Sequence, residues 1–213
     1  MPSKKEFLTF EQLLTQYVPP KALGEVCRLL EEDNIFVKVV SPRKSIQGTY
    51  RIPLAYRGHF ITINSNLNTY AFLITLLHEI AHAHAWITYK VKGHQIEWKI
   101  CFKQLLNHFM QLDVFPAEIQ TALEQHIEKI TYSDIVDINL TKTLRKYDNN
   151  TVVNAESIAL HEIPKNTVFL HGKTIFRKGE LLRKYILCTN LTNNRKYRCH
   201  PLMMVRIVEE NSL

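Results

Sequence analysis

The sequence predicts an α+β protein: a helical body around a small three-stranded sheet, followed by a small antiparallel β unit. Three observations carry this expectation. Apolar residues recur at helical spacing through most of the chain up to residue 130. Three short β-prone runs lie between residues 35 and 64, flanked by glycines. From Thr167 onward, brief β-prone runs alternate with turn residues.

Taken in order, residues 9–17 and 21–33 show helical periodicity and are separated by Pro19-Pro20. Residues 35–40 alternate and are β-branched, predicting a strand; 47–52 and 59–64 predict two more, with Gly48 and Gly58 read as turn positions. A long helix is expected over 66–89, capped by Asn66 or Asn68. A second is expected over 94–112, with Trp98, Cys101, Phe102, Leu105, Phe109 and Leu112 on one face. A third spans 116–130, started by Pro116. Beyond it the chain turns polar, with a short helix at 140–147. The β runs follow at 168–170, 174–176, 183–188, 196–199 and 203–208, with Gly172, Gly179 and Asn193-Asn194 as turns. The expected organisation is a catalytic body (1–130), a linker (131–164) and a β-rich C-terminal unit (165–213).

Charge separates the same parts. Residues 1–164 hold 17 Lys+Arg against 17 Asp+Glu, whereas 165–213 hold 10 against 3, the whole of the net +7. A neutral body with a basic tail points the tail toward a polyanion. No apolar run approaches a membrane span, and no export signal is visible, so a cytoplasmic location without membrane association is expected. Cys27, Cys101, Cys188 and Cys199 are scattered and read as reduced thiols.

The chemistry concentrates in His78-Glu79-Ile80-Ala81-His82. Two histidines four apart on a helix sit roughly 40° apart around the axis and about 6 Å along it, so both rings reach one ion. Neutral imidazoles suit Zn2+, and Glu79, next to the first ligand, stands where a general base for a water nucleophile is needed. A third ligand is expected past the helix end, where Val91-Lys92-Gly93 turns the chain and His94 opens the next helix; Glu97 competes for that place. His84 falls near the opposite face and receives no metal role.

Gly48-Thr49-Tyr50-Arg51, His59 to Asn64, His78 to His82 and Gly93 to Trp98 together resemble the SprT-like metalloprotease family, over about residues 35–112. The resemblance implies a zincin-like catalytic domain. It also implies Zn2+ held by His78, His82 and His94, catalytic Glu79, Trp98 packed under the third ligand, and cleavage of proteins bound to DNA. Where relatives carry a Cys-x-x-Cys zinc ribbon, this chain has Cys188, Cys199 and His200 without such a pair. The tail is therefore read as a degenerate ribbon or mini-barrel packed by Val168, Leu170, Phe176, Tyr185, Tyr197 and Val205.

The expected activity is a zinc metalloendopeptidase acting on protein substrates. Lys173, Arg177, Lys178, Arg183, Lys184, Arg195, Lys196 and Arg198, interleaved with Phe176, Tyr185 and Tyr197, make single-stranded DNA an expected partner of the tail. Tyr50, Arg51 and Tyr89 are the candidates for stabilising an oxyanion. Two other readings stand beside this one: a DNA-binding or adaptor protein that keeps the fold with little proteolysis, and a metallohydrolase of small amides.

Overall fold

The computed structural model describes residues 9–43, 46–53, 58–130, 137–148, 157–182 and 185–208. Its contacts define two units: Met1–Ser133 with Thr143–Asn149, and Asp134–Lys142 with Asn150–Leu213. The architecture is mixed α+β.

The first unit opens with α1 (Phe10–Leu14), where the Thr9 hydroxyl accepts from the Gln12 amide and the Gln12 side chain accepts from the Thr9 amide. Pro20 begins α2 (Pro20–Glu32), a position where its missing N–H costs nothing. The α2 stripe of Ala22, Val26, Leu29 and Leu30 is buried. Strands β1 (Ile35–Val40), β2 (Gly48–Arg51) and β3 (His59–Asn64) form a sheet in the order β1-β3-β2. β1 runs parallel to β3, and β2 pairs antiparallel on the other side.

Against β2 and β3 packs α3 (Thr69–Tyr89). The Asn68 side chain caps it, accepting from the Ala71 amide at 2.9 Å. Phe72, Leu73, Leu76, Leu77, Ile80 and Ala81 are fully buried, so α3 is a central helix and not a surface one. Burial of each such Leu or Phe contributes about 1.5–3 kcal/mol, which fixes the backbone that carries the histidines. α3 stops at Lys90, whose left-handed backbone (φ 58°) turns the chain away. α4 (Ile96–Gln111) and α5 (Ala117–Ile130) follow, and α4 packs on α3. The helix α6 (Ile138–Arg145) lies where the chain passes between the units.

The second unit is a six-stranded antiparallel sheet: β4 (Ile158–Ala159), β5 (Val168–His171), β6 (Thr174–Leu181), β7 (Ile186–Asn190), β8 (Lys196–Cys199) and β9 (Met204–Ile207). The order is β4-β9-β5-β6-β7-β8. Phe169, Phe176, Ile186, Cys188 and Val205 form its core together with Leu160 and Ile163. Those last two residues, with β4 and α6, lie in the stretch read from sequence as a linker; residues 131–136 and 149–156 of that stretch lie outside the described residues.

Three local readings need correction. Gly48 and Gly179 are not turn residues: Gly48 is the first residue of β2, and Gly179 lies inside β6. A Cβ at Gly179 would stand 2.5 Å from the Leu187 carbonyl oxygen on β7, so the position admits only glycine at this strand spacing. His94 does not open α4; it sits in the connection before it, since α4 starts at Ile96. Gly172 does mark a turn, with φ +61°.

Candidate metal centre

The site grows out of α3. His78 and His82, one turn apart, present their rings to the same side, with centroids 5.2 Å apart. Beyond the helix end, Lys90 and Gly93 (φ +73°) both take left-handed backbone and bring His94 back over the pair. Glycine adopts this conformation without penalty at Gly93. His94 Nε2 lies 2.9 Å from His78 Nε2, and one ligand atom from each of the three histidines falls within 4.8 Å of the others. This set could hold a metal ion. Among the described residues no other group of histidine, cysteine or carboxylate side chains meets the same test. Glu97, the rival for the third place, is not part of it. One Glu97 carboxylate oxygen is buried with no hydrogen-bond partner.

Ring nitrogens facing each other cannot all be satisfied by protons, because at most one hydrogen fits between His94 and His78. Burial pushes the His78 imidazolium down to about 3, with repulsion from His94 and His82 adding to the effect. His82 is pushed down to about 4, again chiefly by burial. Near neutral pH both rings are uncharged, with lone pairs free for a cation. The chemistry of the donors fits a divalent ion on that ground.

Trp98, on the first turn of α4, braces the cluster from below. Its ring centroid lies 4.6 Å from His78 and 4.3 Å from His94, and its indole N–H donates to the His78 carbonyl at 3.3 Å. Phe102 stacks beneath it at 5.0 Å. One ring thus touches both the helix-borne and the loop-borne histidine.

Glu79 is buried, yet it lines the same cleft as the three histidines. Desolvation pushes its carboxyl up to about 7, while the Arg43 guanidinium pulls the other way. Gly48 explains how the carboxylate fits. A Cβ there would meet Glu79 Oε1 at 2.6 Å and Thr75 Cγ2 at 2.8 Å, so the strand passes directly over the glutamate only because it has no side chain at that point. Two residues on, and therefore on the same face of β2, Tyr50 lays its ring nearly parallel to His82, 10° and 6.0 Å between centroids. Tyr50 Oη lies 2.7 Å from His59 Nδ1. Desolvation raises the Tyr50 hydroxyl, keeping it protonated.

Of the oxyanion candidates, Tyr50 and Arg51 line the cleft of about 610 Å³ and Tyr89 does not. His84 pairs with Asp33 at 2.6 Å and takes no part in the cluster. The sequence reading missed the roles of Gly48 and His59. The period-2 alternation of β2 placed Gly48 and Tyr50 on one face, but what that face met required the packing of α3.

Residues 37–122 match the model of the SprT-like family. This stretch is an SprT-like domain. It contains most of β1, all of β2 and β3, the three histidines, Glu79 and Trp98, and the family is one associated with zinc metallopeptidase-like proteins. No curated protein matches the chain, and no solved structure does. Among the described residues no helix is long and apolar enough to cross a membrane.

The residues expected to meet DNA lie in the second unit. Arg177, Lys173, Arg195, Lys196 and Arg198 are exposed; Arg183 and Lys184 lie outside the described residues. Lys178 is buried, and its ammonium donates to the carbonyls of Ile163 and His161. The alternation of β6 explains the difference: Phe176 and Lys178 point inward, and Arg177 between them points out. Tyr197 packs edge-on against Phe176 at 5.7 Å.

Proposed function

We propose that the SprT-like domain is a zincin-like metalloendopeptidase in which His78, His82 and His94 hold Zn2+ and Glu79 carries the proton. The convergence of three imidazoles, of which His78 and His82 are uncharged near neutral pH, beside a buried carboxylate is the observation that carries this reading. Three nitrogen donors would leave a zinc ion room for one further ligand, the donor count of catalytic and not structural zinc. Zn2+ bound there supplies Lewis acidity, bringing the pKa of water toward 7 and polarising a carbonyl.

The chain's own groups do the rest. Glu79, with its carboxyl near 7, is matched to take a proton from attacking water and return it to the departing amine. Gly48 holds the approach to that carboxylate open, and Trp98 keeps His78 and His94 in register. Tyr50 keeps its proton, and its ring lies against His82 in the cleft wall.

An extended peptide suits this cleft better than a small amide, because β2 is an edge strand. Gln47 accepts from the Asn64 amide, so by antiparallel alternation Thr49 and Arg51 bond to β3. Gly48 and Tyr50 turn their N–H and C=O groups to the other side, where among the described residues no strand pairs. A substrate backbone laid along that edge gains main-chain hydrogen bonds beside Glu79. The substrates, on this reading, are proteins associated with DNA, with the basic second unit as the part that approaches the polyanion; its exposed Arg177, Lys196 and Arg198 support this.

Cleavage of an unfolded protein by the zinc-loaded chain, compared with Glu79→Gln, tests the assignment. The expected result is stoichiometric zinc in both and a loss of cleavage of about 10²–10⁴-fold in the variant. Equal cleavage by both proteins, or the lack of bound zinc in either, overturns it.

A further inference from the structure

We propose that Arg51 and Lys92 make this cleft selective for peptides with an acidic side chain close to the scissile bond. The inference rests on the peptidase reading above and names the substrate chemistry of the same site.

Formal charge in the cleft is one-sided. Among the described residues that line it, Glu79 is the single acid and is buried, whereas Arg51 and Lys92 are exposed cations. Arg51 closes β2, the strand along which an extended backbone would lie. Lys92 belongs to the connection that carries His94, so the two cations come from different parts of the cleft lining. The Arg51 guanidinium makes no hydrogen bond or ion pair with any described residue. Lys92 holds its ammonium over the Trp86 ring at 5.4 Å, an arrangement that orients the charge without neutralising it. Glu79 is set back from them, buried beneath Gly48, and forms no ion pair with either.

A substrate side chain in an extended peptide projects to one face or the other every second residue. One that falls near Arg51 or Lys92 therefore meets a fixed positive charge: a carboxylate gains there, an amide gains little, and an ammonium is repelled. Because both cations are at the solvent boundary, the selection is moderate and fades with salt.

The test uses the full zinc-loaded chain and quenched fluorescent peptides of one parent sequence. Glu, Gln or Lys is placed in turn at each of the three positions on either side of the cleaved bond. At one or two positions Glu should exceed Gln in kcat/KM by about 3- to 10-fold, with Lys below Gln, and raising salt from about 50 to 500 mM should remove most of the difference. Lys92→Glu and Arg51→Glu should shift the preference toward Lys at those positions. The same peptides, bound to Glu79→Gln and followed by fluorescence anisotropy, give the ranking without turnover. Equal rates and equal binding for the three side chains at every position would overturn the selectivity while leaving the peptidase intact, as would a preference unmoved by both charge reversals. Zinc-loaded protein that cleaves none of the peptides overturns the peptidase reading instead, and the anisotropy ranking then decides the selectivity separately.

Discussion

Each sheet carries a glycine inside a strand where the next atom is too close for a Cβ, but the two sites are crowded by different things. In β2, Gly48 makes room for the side chain of Glu79, and in β6, Gly179 makes room for the backbone carbonyl of Leu187. The buried polar groups divide the same way. Lys178 in the second unit spends its ammonium on two carbonyls, tying the 161–163 segment to the sheet, whereas no hydrogen bond to a described residue engages the Glu79 carboxylate. The second unit uses buried polarity to close a fold. In the SprT-like domain Asn68 likewise serves the fold by capping α3, but Glu79 is left poised for chemistry, and a carboxylate without a protein partner in a cleft costs stability that the apolar surround of α3 offsets.

That contrast can be broken. Gly48→Ala pushes a methyl into Glu79 and Thr75, so cleavage should fall about 10- to 100-fold while zinc remains bound, because a displacement of about 1 Å in a reacting group is enough; parallel metal analysis and peptide turnover would read it. If turnover survives, the glycine is only a packing residue. Gly179→Ala should leave turnover per folded molecule near wild type and instead weaken the β6–β7 pairing by about 1–3 kcal/mol, seen as faster amide exchange across residues 186–190. Loss of turnover in that variant would mean that the two units are not energetically separate.

A smaller effect tests whether the body's own ion pairs resemble either case. The guanidinium of Arg28, bonding both Glu25 oxygens, holds the Glu25 carboxyl down to about 2, with His108 at 2.6 Å joining α4 to α2 through the same group. The folded value lies below that of an unfolded glutamate, near 4.3, so the stabilisation is present above that pH and is lost as pH falls toward 2. Glu25→Gln should therefore melt a degree or two lower than wild type at pH 7, and the gap should narrow steadily from pH 5 to pH 3.

Much of the candidate metal centre's geometry could be read from the chain alone, because its logic is local. The i, i+4 spacing of His78 and His82, the cap before α3, and a chain reversal at Gly93 followed by His94 are all short-range facts. What escaped was long-range. In sequence, Gly48 and Gly179 read as turns because glycine marks turns by default, and only the packing of α3 over β2, or of β7 against β6, shows a strand that needs a missing side chain. Lys178 was grouped with surface cations although Phe176, two residues earlier, already defined the inward face of β6. Leu160 and Ile163 looked like part of a polar connection because their partners lie on β5, β6 and β9, and periodicity within a ten-residue window does not reveal contacts at that separation.

Two of the three imidazoles are borne by one stiff helix and the third by an irregular connection, so an ion at this centre would act as a clasp. Holding His94 to His82 fastens the free side of the connection between α3 and α4, in which Lys90 and Gly93 take left-handed backbone. Lys90 and Lys92 lie exposed within it and offer trypsin two points of entry. Chelated protein should thus be nicked between residues 90 and 93 several times faster than zinc-loaded protein, making susceptibility to digestion a gauge of occupancy that needs no substrate at all.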